Sequence, residues 1–328
     1  MKKVYSWTVA FLIAALMAAC GGSSGDGFVA PPVQVVPVQI TAANAPFVAS
    51  DSLNAAAFAS ELGDFSAIGV LGGESVPGMF SKLGKVPVVG ISKIISPVFE
   101  IPVPPITEDC LVTGTFTLSG NVANPLTITV GDTISMVFSM CNDGDGQVLD
   151  GGMDITITAF NGSLDTNLFE MGMTVSIASL SMDDGGMNGP AEVDGSFNLL
   201  IDTRLFPVTK TMVSGELLSM VAGTRSVTMK DFVSDGELDE GAFTITVIAS
   251  GKVESDRFDG QATYITEVPF VSSIDSNPYA GQMLITGANN STIRVTALDV
   301  EMVRLEMDYN GDGLVDDTRD VTWDEAIG

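Results

Sequence analysis

Asp308, Asn310, Asp312 and Asp316 fall in the stretch DYNGDGLVDD, with an oxygen-bearing side chain at alternate positions and again at the ninth. Gly313 permits a sharp turn and Leu314 can offer its carbonyl. The five residues Asp308, Asn310, Asp312, Leu314 and Asp316 therefore form a candidate shell for Ca2+, which takes roughly six to eight oxygens in flexible geometry. An EF-hand would close with an acid at the twelfth position, which here is Arg319, and the flanks MVRLEMD and TRDVTW alternate like strands. Asp317 and Asp320 are candidates for further ligands. The alternative is an ion-free acidic turn of the Asn-Gly and Asp-Gly kind. A bound ion would act structurally, neutralising crowded carboxylates and pinning a final hairpin whose Trp323 and Ile327 cap one end of a sheet. The related-looking CNDGDGQVLDG places Cys141 where the first ligand would stand, so it reads as an ordinary hairpin turn.

Other chemistry is narrowed by composition. The chain has no histidine, which removes Ser-His-Asp and Cys-His catalysis, the two-histidine iron site and the ordinary zinc hydrolases. Carboxylate-only hydrolysis would need two acids facing each other about 5–10 Å apart. Pairings such as Glu237 with Asp239 and Glu240, or Asp183 with Asp184, arise by chance among 41 acids. SKLGK and SKII lack the spacing of a Ser-Lys nucleophile, and their lysines read as surface residues. The many methionines, among them Met171, Met173, Met182, Met187, Met212, Met220 and Met229, suit either a greasy binding surface or a core, and the core is the simpler reading.

Residues 1–19 read as a secretion signal, with Lys2 and Lys3 ahead of an apolar run from Val9 to Ala19 that is too short to span a bilayer. The run ends in LMAAC, which resembles the lipobox of bacterial lipoproteins. By that resemblance Cys20 becomes the lipidated first residue, and Gly21 after it favours the outer membrane. Cys110 and Cys141 remain, an even pair that in an exported chain implies a disulfide, the alternative being two buried thiols. The formal charge is −27, and loss of Lys2 and Lys3 makes the mature chain more acidic still. Nucleic acid is excluded as a partner, because its binding needs Lys and Arg to displace counterions.

These residues need elements to position them. Residues 20–39 form the lipidated cysteine and a tether, flexible in GGSSGDG and stiffened by proline in PPVQVVPV. Residues 40–109 are rich in Ala, Gly and Pro and partly helical. In ASDSLNAAAFASEL, Ser50 or Asp51 is expected as the N-cap of a short helix ending near Gly63. FSKLGKVPVVGISKIISPVF is expected as short helical pieces, and IPVPPI as an extended connector. Residues 110–328 change to period two: Met153, Ile155, Ile157 and Ala159 alternate with polar residues, as do Phe243, Ile245, Val247 and Ala249, and Val303, Leu305 and Met307. Polar-Gly-x-apolar motifs recur at irregular spacing, as in LDGGM and VDGSF, and are expected to mark bulges. The predicted fold is mainly β, a large curved antiparallel meander of about ten to twelve strands, closed as a barrel, open as a half-barrel or stacked as a sandwich.

CLVTGTFTLSG, VGDTISMVFSMC, LDGGMDITI and GQMLITGANNSTIRVTALD, with the acidic hairpin and TW that follow, resemble a group of Gram-negative outer-membrane lipoproteins without assigned activity. The hairpin itself resembles the calcium loops of FG-GAP propeller blades. The resemblance implies no catalytic residue. It implies a non-enzymatic envelope lipoprotein, held to the membrane by lipid, with a binding, adhesion or structural role. In that case residues 40–109 cover the apolar face of the sheet. The alternative is a carrier resembling lipoprotein-localisation half-barrels, whose open groove takes lipid or another hydrophobic ligand.

Overall fold

In a computed structural model, residues 35–63, 103–123, 128–142, 148–163, 166, 168–183, 190–274 and 276–327 are described. Fourteen strands follow one another: β1 (Val103–Asp109), β2 (Thr113–Asn121), β3 (Thr133–Asn142), β4 (Val148–Ser163), β5 (Leu168–Asp183), β6 (Ala191–Leu205), β7 (Val208–Ala222), β8 (Arg225–Asp239), β9 (Thr244–Ser255), β10 (Phe258–Ser273), β11 (Ala280–Thr286), β12 (Thr292–Ala297), β13 (Met302–Asp308) and β14 (Asp317–Thr322). Each pairs antiparallel with the next in a single sheet. β1 and β14 are not neighbours, so the sheet is open and the closed barrel and the two-sheet sandwich give way. IPVPPI is not a connector, since its second half begins β1 and pairs with β2.

An open sheet exposes two rows of backbone groups, and both are guarded. Pro104 and Pro105 in β1 have no N–H to offer, while β14 carries Asp317, Arg319 and Asp320. Charge and proline are the usual protections against edge-to-edge pairing.

Alternation placed the core face correctly in several strands. Met153, Ile155 and Ile157 are buried while Asp154, Thr156 and Thr158 are exposed, and Val303, Leu305 and Met307 are buried. Met171, Met173, Met182 and Met229 are core residues; Met212 is exposed, Met220 is partly buried, and Met187 lies outside the described residues. FTITVIAS departs from the pattern: Phe243 sits in the β8–β9 turn and points to solvent, Ile245 and Val247 are only partly buried, and Ala249 alone of the four is in the core.

Two of the recurrent polar-Gly motifs, LDGGM and VDGSF, share a mechanism. Asp150 accepts a hydrogen bond from the Met140 N–H (3.2 Å), and Asp194 accepts one from the Ser179 N–H (2.6 Å). Met140 and Ser179 are extra residues at slips in the ladder, each with positive φ. The glycine after each Asp, Gly151 (φ 118°) and Gly195 (φ 135°), has a backbone that approaches the neighbouring strand too closely for a Cβ. Aspartate holds the bulge and glycine makes room for it.

A helix, α1 (Ala45–Gly63), lies on the inner face of β6–β10 and reaches β12. It touches the short C-terminal helix α2 (Trp323–Ile327) as well. It begins earlier than its sequence suggests, after a turn in which the Thr41 N–H donates to Asn44 Oδ1 (2.8 Å). Its many alanines favour helix and allow close approach, and burial of Val48, Leu53, Phe58 and Leu62 contributes roughly 1.5–3 kcal/mol each. α1 and the sheet belong to one compact unit, Val36–Gly328. The pieces expected within 64–102 lie outside the described residues, as do Cys20 and most of the tether.

Two buried rings lie over glycines of the adjacent strands. Phe232 covers Gly215 on β7, and Tyr264 covers Gly251 on β9. A Cβ on Gly251 would stand 2.7 Å from the Tyr264 hydroxyl oxygen and 3.0 Å from Phe232 Cβ. Gly251→Ala is therefore expected to cost about 1–3 kcal/mol by overpacking, read as a lower urea midpoint.

Candidate functional site

β13 runs into the acidic loop at Asp308 and β14 leaves it at Asp317. Asp308 is buried, and its two carboxylate oxygens accept from the N–H groups of Gly311 and Gly313, each at 2.7 Å. Asn310 Oδ1 accepts from Asp312 N–H (2.8 Å), Asp312 Oδ1 from Leu314 N–H (2.8 Å), and Asp316 Oδ2 from Tyr309 N–H (2.7 Å). Asn310 and Asp312 thus make two successive Asx turns, while Asp308 and Asp316 bond to backbone N–H groups farther along the loop. The two candidates for further ligands are engaged elsewhere, Asp317 with Arg319 (2.8 Å) and Asp320 with Arg304 (2.7 Å). Among the described residues no three Asp, Glu, Cys or His side chains gather into a group able to hold a metal. As it stands, the loop is a self-bonded acidic turn.

The loop is fastened from outside by the lead-in to α1. Residues 36–40 cross the first residues of β10 and two hairpin turns at this end of the sheet: Val38 N–H donates to Gln261 O (2.9 Å), Ile40 N–H to Ser291 Oγ (3.2 Å), and Gln39 Nε2 to Tyr309 O (2.9 Å). Asn289 Nδ2 donates back to Gln39 Oε1 (2.7 Å). Gly311 packs on this corner, where a Cβ would be 2.0 Å from Asn289 O. At the other end Trp323 Nε1 donates to Asp299 O (3.1 Å) and its ring meets Phe270 edge-on, 6.2 Å between centroids. Trp323 thus packs over this end of the sheet, while Ile327 is partly buried against the core with its carbonyl bonded to the helix at Ser50 and Asn54.

Acid should loosen this hairpin first. At Asp308 burial pushes the carboxyl up, but hydrogen bonds from the Gly313, Gly311, Asn310 and Asp312 N–H groups outweigh it and hold it below the ordinary aspartate value of 3.8. Arg319 holds Asp317 low, and Arg304 does the same for Asp320. All three are depressed in the folded chain, so their contribution to stability is complete above the unfolded value and is lost as the pH falls below it. Protection factors of the β13 and β14 amides, taken against the intrinsic exchange rate at each pH, are expected to fall below about pH 4, ahead of those in β7–β10.

A second polar cluster lies under α1. Asp51 is fully buried and its carboxylate meets two guanidiniums, Arg225 at the start of β8 and Arg257 from the β9–β10 turn. Arg257 Nη2 also donates to Ser50 Oγ (2.9 Å), and its guanidinium stands 5.0 Å over the Phe47 ring. Ser50 Oγ (2.8 Å) and Asn54 Nδ2 (2.9 Å) both donate to Ile327 O. Ser50 and Asp51 are thus the middle of the helix and its lock, not its N-cap. The signal available in sequence was an SDS triplet inside an alanine-rich apolar helix, a charge with no local use. Nearby, Ser52 Oγ, Ser234 Oγ and the Tyr264 hydroxyl are buried without a hydrogen-bond partner among the described residues, and burial pushes Tyr264 far above the ordinary phenol range.

The disulfide joins Cys110, just after β1, to Cys141 near the end of β3, with 5.5 Å between Cα atoms, so it bridges β2. CNDGDGQVLDG links β3 to β4 as a hairpin, with residues 143–147 outside the described residues. Of the acids considered for hydrolysis, Glu237 pairs with Lys210 (3.1 Å), and Asp239 accepts from the Gly241 and Ala242 N–H groups (2.9 Å each). Compared with known proteins, the chain matches no family model and no curated protein.

Proposed function

We propose that this chain is a non-enzymatic lipoprotein of the bacterial outer membrane, anchored by lipid on Cys20, whose sheet serves a binding, adhesion or structural role. The observation that carries this reading over a lipid carrier is α1. It occupies the inner face of β6–β10, and its buried Asp51 carboxylate is neutralised by Arg225 and Arg257, so that face supports the fold instead of standing as an empty groove. The absence of histidine and the engagement of Glu237 and Asp239 in structural bonds weigh against hydrolysis. Calcium at Asp308, Asn310, Asp312, Leu314 and Asp316 belongs to the same proposal and rests on residue types and register.

Native mass spectrometry of the protein purified from its own envelope tests the reading. The expected mass is that of residues 20–328 plus acyl groups on Cys20, with one calcium and no second lipid. A stoichiometric non-covalent lipid would favour the carrier, and an unmodified Cys20 would remove the anchor. Titration with calcium that releases no heat and leaves the melting temperature unchanged would remove the ion.

A further inference from the structure

One end of the long strands carries apolar side chains outward on neighbouring hairpin tips. Leu205 and Phe206, at the β6–β7 turn, are 60% and 67% exposed, and Phe243, in the β8–β9 turn, is 66% exposed. The two tips touch: Glu240 N–H donates to Pro207 O (3.0 Å), and the Phe243 carbonyl accepts from Ile274 N–H (3.2 Å) at the end of β10. Leu168 opens β5 beside them and is also exposed, since β5 runs next to β6 in the register Glu170 to Asp202. Phe243 is doubly expensive to the fold. Its φ of 54° lies in the left-handed region, which suits Gly or Asn and strains an aromatic residue, and its ring forgoes burial. A position that breaks two local rules at once is a candidate for function.

Charges of both signs stand just behind the tips. Arg204 lies between Glu170 (2.9 Å) and Asp202 (2.8 Å), and Lys210 pairs with Glu237 (3.1 Å). We infer that these tips dip into the surface of a lipid bilayer whose headgroups are zwitterionic. Phenyl and leucyl groups projecting from rigid strands can enter the boundary between headgroups and acyl chains without a shaped cleft to receive them. The collar then sits at headgroup level, where Arg204 and Lys210 meet phosphates and Glu170, Asp202 and Glu237 meet ammonium groups. An anionic surface is disfavoured, because a chain of net charge −27 is repelled by it. The inference stands on the tip geometry and is independent of lipid on Cys20.

The test uses residues 21–328, which contain the whole Val36–Gly328 unit but neither signal nor anchor, with folding confirmed by a cooperative melt. It should co-sediment with phosphatidylcholine vesicles. The double variant Phe206→Ser, Phe243→Gly should lower the bound fraction at fixed lipid about tenfold. Its melting temperature should hold or rise, because glycine relieves the left-handed position. Equal binding by the variant, no binding by the parent, or preference for phosphatidylglycerol vesicles would each overturn the inference. Capture of an envelope protein through a crosslinker at position 206, with vesicles ignored, would assign the tips to a protein partner and overturn it as well.

Discussion

Asp51→Ala is expected to destabilise the fold by about 3–5 kcal/mol, the range for removing one partner of a buried ion pair. The carboxylate is fully buried, while Arg225 and Arg257 keep 24% and 23% of their side chains exposed. That residual hydration places the expected loss in the lower half of the range. Without Asp51 two guanidiniums are left under α1 with that counter-charge gone, and Arg225 Nε is already buried without a partner among the described residues. Urea melts at pH 7 measure the effect. A triple variant, Asp51→Leu with Arg225→Met and Arg257→Met, should recover most of the loss, because apolar residues of similar size remove the desolvation cost along with the attraction. If Asp51→Ala costs less than about 1 kcal/mol, the value of an exposed pair, α1 is not held in this way.

Removing the disulfide is expected to cost about 3–4 kcal/mol, the loop-closure entropy of a crosslink across a separation of 31 residues. The loss should be local before it is global. β1 is an edge strand with two prolines, paired on one side alone, and the bond clips its end to β3 across β2. In Cys110→Ala, Cys141→Ala, amide exchange should rise first in β1–β3, while β7–β10, packed under α1, keep most of their protection. Uniform loss across the sheet would mean that β1–β3 unfold only with the whole.

Much of this architecture was legible from residues close in sequence. The alternation in MDITIT assigned each side chain from Met153 to Thr158 to its face, because a strand has a period of two and its sheet is greasy on one side; it lapses at Ala159 and Phe160, where the ladder slips. The cysteine pair and the capping role of Trp323 were legible too, since few alternatives compete for a lone pair of cysteines or a large apolar residue beside a sheet end. The misreadings share one cause. IPVPPI looked like a linker because proline is rare inside sheets, yet it is admitted at an edge, and edge status belongs to the finished sheet. Phe243 continued an apolar alternation but lies past the end of the strand, where the β8–β9 turn rotates it outward. Asp51 looked like a helix cap because caps are local, whereas its partners lie 174 and 206 residues away.

Taken alone, the sequence determined the class of the fold, the inward face of its strands, the disulfide partners and an acidic turn between the last two strands. Each of these depends on the residue types themselves or on spacings of a few residues. The openness of the sheet, the seat of α1 on its inner face, the pairing of Asp51 with two arginines and the gathering of Leu205, Phe206 and Phe243 at one end were decided only by tertiary structure. These depend on which turns come to lie side by side once all the strands have paired, and no short window of sequence carries that information.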